Sequence, residues 1–520
     1  MNSSEILKFC IENGLLLDKE VLGLFSEADP DSVKLLIENL KNYTQKKIIT
    51  KEIFLQHKER IIENVSHTSE ENQKKMEKLK INLGITLEIS KEVVERPEIK
   101  KIVVEKKEIP SVKVISMEPA VSKRIEIKDF VNYFRGRFSE MSKILQEHSE
   151  LNNLVSINKL ASSRQAVSII GIVLSKDTTK NKNIILEVED LTGRIKVLIG
   201  QNNKEAYKKA EEICLDSILG FKGSGSREIL FANDVVFPES LIQERKRANE
   251  EEYAAFIGDL HFGSKLFMKD QFLKFIDYLN GKVPDTPEVF KIKYLFVVGD
   301  LITGIGNYPE QEKDLVINNL EEQFIQLANL LDLIRKDITI IISPGNHDAV
   351  RIMEPQPFFD EKFAWPLYNI KNVLITSNPA TLNIAAKEGF TGMNVLTYHG
   401  FSFFHYAESI PTLIQAGGPN NPVAIMQFLL KHRHLAPEHG STQYFPSEKD
   451  GLIINPVPDI FVAAHTHKMG VGYYNNILMI SVSTWEALTA YQEKRGSKPD
   501  FCKVPLLNLK TRAVKILDFE

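Results

Sequence analysis

The sequence predicts a multidomain α/β protein in which a small helical N-terminal region and a β-barrel precede a larger layered α/β domain. Three observations carry this reading. At 520 residues the chain is too long for one ordinary core. Its periodicity turns from helical to strand-like near residue 153, and to strand–loop–helix repetition after residue 252. Its histidines and aspartates gather behind apolar runs in that last part, where nine of the twelve histidines lie beyond residue 260.

Bulk composition narrows the function classes. A hydrophobic fraction of 43% can fill sizeable cores. Cys10, Cys214 and Cys502 are far apart and form no C-x-x-C pair, which argues against a disulfide framework or a cysteine zinc site and fits a reducing compartment. MNSSEILKFCIENGLLL has no basic stretch ahead of its apolar residues, so it does not read as a signal peptide, and no apolar run approaches membrane-spanning length. A net charge of −4 does not advertise nucleic-acid binding. It is weak evidence against it, because bound metal ions or a basic partner can offset acidic protein near a phosphate backbone.

Residues 1–65 read as short helices: Ser3 or Ser4 can cap ILKFCIENGLLL, and SVKLLIENLKNYT repeats the amphipathic spacing. Residues 66–125 are charged, interrupted by proline and poor in aromatics, the composition of a flexible tether. The third region, 126–245, opens on IEIKDFVNYFRGRFSEMSKILQEH, an amphipathic lead-in helix. AVSIIGIVLSKDTTK, NIILEVEDLTGRIKVLIG, DSILGFKGSG and EILFANDVVFP then supply five short strands, with a helix from EAYKKAEEI between the third and fourth. That order predicts an OB-fold barrel. Its strands are mainly aliphatic, so protein scaffolding is expected of it ahead of single-strand binding.

Residues 246–520 carry the chemistry. YAAFIGDLHFGS presents Asp259 and His261, and KYLFVVGDLITG presents Asp300. ITIIISPGNHDA presents Asn346, His347 and Asp348; NVLTYHGFS presents His399; DIFVAAHTHKMG presents His465 and His467. Each block ends an apolar, strand-like run, and amphipathic stretches such as KDQFLKFIDYLN and LVINNLEEQFIQLANLLDLIRK lie between them. Ligands of layered α/β sheets collect at the carboxyl ends of strands, where all of these residues fall.

Two divalent ions about 3.5–4 Å apart can clamp the attacking and departing oxygens of a phosphodiester. One carboxylate must bridge them, because cations that close repel. Imidazole with carboxylate or amide oxygen suits manganese, iron or zinc better than calcium. In D-x-H and H-x-H, side chains two apart in extended backbone project to the same side. Gly258, Gly299 and Gly345 are expected to allow tight turns at the strand ends. Each block alone is common; all five in order, each behind a strand, predict a metal site. Trp485 in STWEALTAY is expected in a core or interface, KHRHLAPEH as a surface cluster, and CKVPLLNLKTRAVKILDFE as two closing strands of the second sheet.

The series GDLH, GD, GNHD, HG and HTH resembles the calcineurin-like metallophosphoesterase superfamily over roughly residues 252–500. With the helical N-terminal region, a barrel ending in VVFPE, and the HRHLAPEHG and VSTWEALTAYQ segments, the chain is similar to the small subunits of archaeal D-family DNA polymerases. The resemblance implies a calcineurin-like α/β phosphoesterase sandwich and a proofreading, metal-dependent 3′→5′ exodeoxyribonuclease. It implies two divalent metal ions, manganese first among manganese, magnesium, iron and zinc. Implied partners are a large catalytic polymerase subunit, a DNA 3′ end and, through the complex, a sliding clamp, at the nucleoid in the cytoplasm and away from membranes. Asp259, His261 and His467 would hold one ion, Asp300 would bridge, and Asn346, His399 and His465 would hold the other. His347 would stabilise the pentavalent transition state or protonate the leaving 3′-oxygen, and Asp348 would orient His347. His399 is taken as the fourth-block ligand because it directly follows a strand-like run, with His434 as the alternative. The glycine that often precedes the last His-x-His is Ala464 in this chain. A free-standing repair nuclease and a catalytically silent scaffold are the other readings. The domains ahead of the phosphoesterase disfavour the first, and the intact ligand set the second.

Overall fold

The computed structural model describes residues 3–12, 15–17, 22, 48–49, 112–117 and 124–520. The chain divides into two units, residues 1–105 and 106–520. In the first, Ser3–Glu12 is helical, as its spacing predicts. Short strands β1 (Leu16–Leu17) and β2 (Ile48–Ile49) pair in parallel. Both strands depart from the all-helical reading, the first within the predicted helix ILKFCIENGLLL; in the second, β-branched Ile48-Ile49 favours extended backbone. The rest of the predicted helical region, and residues 66–111 and 118–123 of the expected tether, lie outside the described residues.

The second unit begins with β3 (Lys113–Met117), in a stretch read from composition as tether. It pairs antiparallel with a buried strand of the α/β domain, and that neighbour, rather than its own charged surroundings, makes it a strand. Helix Ile127–Gln146 follows, started by a reciprocal capping box between Glu126 and Asp129. β4 (Gln165–Thr178), β5 (Ile184–Glu189), β6 (Arg194–Ile199), β7 (Ile218–Gly225) and β8 (Ile229–Val236) close a barrel in the order β4-β5-β6-β8-β7. Alternate residues, among them Leu186, Val188, Val197, Ile199, Leu219 and Phe221, fill its interior. Helix Lys204–Glu211 falls between β6 and β7.

Two six-stranded sheets form the remainder. The first contains β9 (Tyr253–Gly258), β10 (Ile292–Val298), β11 (Thr339–Ser343) and β12 (Val373–Ile375) in parallel, extended beyond β9 by antiparallel β18 (Lys503–Asn508) and β19 (Val514–Asp518). The second has the order β16-β17-β15-β14-β13-β3, from β13 (Ala380–Ile384), β14 (Met393–Tyr398), β15 (Ile460–Ala463), β16 (Gly470–Tyr474) and β17 (Ile477–Ser481). The C-terminal strands therefore join the first sheet, where they pair the edge that β9 would otherwise expose.

Strand alternation sets the layers. Phe256, Tyr294, Phe296 and Ile341 of the first sheet meet Leu382, Val395, Val462 and Ile480 of the second. Their neighbours Ile257, Leu295, Val297 and Ile342 face Phe272, Phe275, Phe324 and Leu327 on covering helices. Leu396, Tyr398, Phe461 and Met479 do the same beneath Phe403, Tyr406, Met426 and Leu429. The result is a helix–sheet–sheet–helix sandwich.

A buried polar cluster joins the lead-in helix to this sandwich. Arg137 pairs with Asp450, which also accepts from Tyr133 Oη at 2.6 Å and lies 2.9 Å from His434 Nε2. KHRHLAPEH is thus not a surface cluster. His432 and His434 are buried as the helix Pro422–His432 ends, one against Phe428 and Phe237 and the other on Asp450.

Two outcomes follow for stability. Asp450→Ala leaves Arg137 buried without its counter-ion and is expected to cost about 3–5 kcal/mol in denaturant unfolding. Burial lowers His432 to about 3, below its ordinary 6.5. The unfolded chain therefore takes up that proton first, and stability present above about 6.5 is lost as pH falls towards 3. A denaturant midpoint that drops between about pH 7 and pH 5, with a smaller drop in His432→Phe, is the expected result.

Candidate metal centre

Every predicted ligand sits just past the carboxyl end of a strand. Asp259 and His261 follow β9, Asp300 follows β10 and Asn346 follows β11; His399 follows β14, and His465 and His467 follow β15. β9, β10 and β11 are neighbours in one sheet, and β14 and β15 are neighbours in the other. Their ends converge on one cleft. His434 is elsewhere, on Asp450, so His399 is the fourth-block histidine that joins the cluster.

The turns that deliver these side chains are unusual. Asp259, His261, Asp300, His465 and His467 all have φ between 46° and 71°, the left-handed region. Each such residue costs about 1–2 kcal/mol unless its surroundings hold it. Here they do. His465 N donates to Asp259 Oδ2 at 2.9 Å, His261 N to the Asp300 carbonyl at 3.0 Å, and Thr484 Oγ1 to the Asp259 carbonyl at 2.9 Å. Of the three strand-end glycines only Gly299 needs positive φ, at 68°. A Cβ there would lie 2.0 Å from His399 Nδ1, and one on Gly345 would lie 2.3 Å from Asp300 Oδ1. Gly345 therefore serves close approach rather than turn conformation.

Three groups of donor atoms each fit around a point: Asp259, His261 and His467; His261, Asp300 and His347; and Asp300, His399 and His465. Asp300 Oδ2 lies 3.9 Å from His261 Nε2 and 3.3 Å from His399 Nε2, between the outer groups. His261 Nε2 and His467 Nε2 face each other at 3.1 Å, as do His399 Nε2 and His465 Nδ1. Asn346 Oδ1 joins the second group, 2.9 Å from His399 Nε2.

Electrostatics supports cation binding. Burial lowers His261 to about 3, and burial followed by neighbouring imidazolium charge lowers His465 and His467, so these rings are neutral and offer lone pairs. Burial raises Asp259 well above its ordinary range. For Asp300 burial acts upward, but His399 and the other imidazoles outweigh it and keep the group ionised. Burial would lower His399; the Asp300 carboxylate reverses this, to about 9. Buried Asp259 Oδ1 and His399 Nδ1 have no hydrogen-bond partner among the described residues. Neutral imidazoles, an ionised carboxylate and an unpartnered buried carboxylate oxygen are the donor set a divalent cation fits.

His347 is half-buried at the cleft mouth, its ring centroid 4.9 Å from that of His261. Its backbone N–H donates to Asp300 Oδ1 at 2.8 Å, and its ring Nδ1 lies 3.0 Å from the Thr303 carbonyl and 3.1 Å from Asn307 Nδ2. The expected orienting role of Asp348 is corrected by this geometry. Its buried carboxylate accepts from Ile302 N at 2.9 Å and Gly345 N at 2.8 Å, so it ties two ligand-bearing loops together at their backbones. Thr303 and Asn307 position the imidazole instead. Gln492, 2.8 Å from His467 Nδ1, is a further positioning residue, and Asn378 Oδ1 accepts from His399 N at 2.7 Å. No sequence motif marks these; all act across long chain separations. Trp485 is in the core, its ring edge-on to Phe272 and tilted against Phe275, with its backbone N–H on the Asp259 carbonyl.

Residues 254–469 match the calcineurin-like phosphoesterase family. The DNA polymerase II small subunit of Pyrococcus furiosus is 38% identical over 76% of this chain and 64% of its own length. Those of Pyrococcus horikoshii and Methanothermobacter thermautotrophicus are 35% and 36% identical, over 87% and 76% of this chain and 73% and 80% of theirs. The chain thus spans under two thirds of the Pyrococcus furiosus relative, but well over two thirds of the other two. With identities of 35% and 36% over most of both chains, the chain belongs to the family of archaeal DNA polymerase II small subunits, carrying a calcineurin-like phosphoesterase domain.

Proposed function

We propose that this chain is the proofreading 3′→5′ exodeoxyribonuclease of a D-family DNA polymerase. The observation that carries the reading is Asp300, an ionised carboxylate between two donor groups in one cleft. Asp259, His261 and His467 would hold one divalent ion, Asn346, His399 and His465 the other, and Asp300 both. Bound there, such a pair supplies Lewis-acid polarisation of the phosphoryl oxygens and lowers the pKa of a water.

The residues of the chain do the rest. Water adds to the phosphorus of the last phosphodiester as the bond to the 3′-oxygen of the preceding nucleotide breaks. That oxygen leaves with a proton, releasing a nucleoside 5′-monophosphate and a strand one residue shorter. His347 is placed to donate the proton: its Nδ1 is held by the Thr303 carbonyl, leaving Nε2 for the departing oxygen. Asp348 keeps the loops of Asp300 and Asn346 in register through their backbone N–H groups. Manganese is the first choice of metal, given the mixed imidazole and oxygen donors.

The barrel, closed, five-stranded and with its helix between the third and fourth strands, supports the OB-type reading and a scaffolding role. A large polymerase subunit is the proposed partner, and a sliding clamp would be reached through it. No helix among the described residues is long and apolar enough to cross a membrane.

A 3′-mismatched primer with manganese, given to the chain with and without the large subunit, is expected to shorten from its 3′ end. His347→Ala should slow this by about 10²–10⁴-fold, and Asp300→Asn should abolish it while calorimetry registers loss of metal binding. Failure to shorten under both conditions, or unchanged shortening in the variants, refutes the assignment.

A further inference from the structure

Helix Phe403–Ser409 fills its inward face with Phe403, Tyr406 and Ala407. Phe404 lies off that face, one turn before exposed Glu408, and is half-buried, as is Phe401 just ahead of the helix. The core therefore accounts for neither ring's open side. Both press on the candidate ligand His465, with ring centroids 5.5 Å and 5.3 Å from its own. The guanidinium carbon of Arg495 lies 5.7 Å from the centre of Phe404. Glu408 at 2.6 Å and the Tyr491 hydroxyl at 3.1 Å hold that guanidinium. Between Tyr491 and Arg495, Gln492 reaches His467 Nδ1, so this turn is seated against the metal cleft.

Half-open aromatic rings beside a polar centre gain little from burial and invite an apolar partner. A strand whose phosphodiester occupies the cleft brings a sugar and base to its wall. Bases stack on aromatic and guanidinium planes with little regard to sequence, as a nuclease acting on any 3′ end requires.

We propose that Phe401, Phe404 and Arg495 form a stacking platform for an unpaired nucleobase beside the scissile phosphodiester. The inference rests on the exonuclease reading and gives it a substrate class. A paired base is held in its own duplex, so the platform selects frayed or mismatched 3′ ends over matched ones.

The test uses the full chain and needs no turnover. Single-stranded DNA with 2-aminopurine as its 3′-terminal base is titrated with the His347→Ala chain in manganese, and stacking quenches its emission. Adding Phe404→Ala should relieve the quenching and weaken binding about tenfold, the size of one base–aromatic stack; adding Phe404→Trp should preserve both. DNA ending in an abasic residue should bind the His347→Ala chain and its Phe404→Ala derivative equally. Arg495→Ala, on an exposed side chain, supplies a second variant expected to relieve quenching without disturbing the core. Absent quenching, quenching that survives both substitutions, or equal losses for abasic and base-bearing ends would overturn the platform; the last would mean that Phe404 only braces His465. An unsubstituted chain that leaves 3′ ends uncut would instead overturn the exonuclease reading, a result scored on a separate reaction.

Discussion

Two buried carboxylates, three neutral imidazoles and the protonated ring of His399 share one buried cleft, and every nearby feature answers the electrostatic problem this creates. Asp259 and Asp300 cannot both carry unshielded charge at such a depth. Without added cations the cluster settles by raising Asp259 and keeping a proton on His399 beside Asp300. A divalent ion supplies the same positive charge with more of it, and satisfies the donor atoms that the protein leaves unpaired. The left-handed turns serve this arrangement. Five ligands reach the cleft on strained backbone, held by hydrogen bonds such as those from His465 N to the Asp259 carboxylate and from His261 N to the Asp300 carbonyl. Loosening any one of these turns would therefore disturb its neighbours as well.

The sequence exposes much of this because parallel strands buried on both faces write themselves as uninterrupted apolar runs. A polar residue closing such a run is conspicuous, and all seven proposed ligands could be placed that way. The same cue favours His399 over His434, and the geometry agrees: His399 lies in the cluster and His434 on Asp450. What escaped has a common cause: side chains brought in from distant loops. Nothing near Thr303 or Asn307 says that the loop after β10 folds back over His347. Asp348 adjoins His347 in sequence, but the turn sends its carboxylate to the backbone of Ile302 and Gly345. Residues 113–117 are strand only because β13 offers them an edge. KHRHLAPEH looks charged at neutral pH, yet burial lowers His432 and His434 to about 3 and 4 and lets them pack as uncharged rings.

Arg137 and Asp450 set the relation between barrel and sandwich. An ion pair this deep contributes little net stability over an apolar pair, but it tolerates few alternative arrangements. Tyr133, His434 and the Leu452 N–H complete the oxygens of Asp450, while the Arg137 guanidinium lies 4.7 Å from the Tyr444 ring centre. Lys431–Glu212 and His439–Asp216 add further ties from the sandwich to the barrel. These contacts lie on the helical side of the second sheet, whereas the cleft opens at the strand ends. On the reading proposed above, a partner subunit that held the barrel would leave the metal cleft unobstructed, and the cleft would stay open to a DNA end.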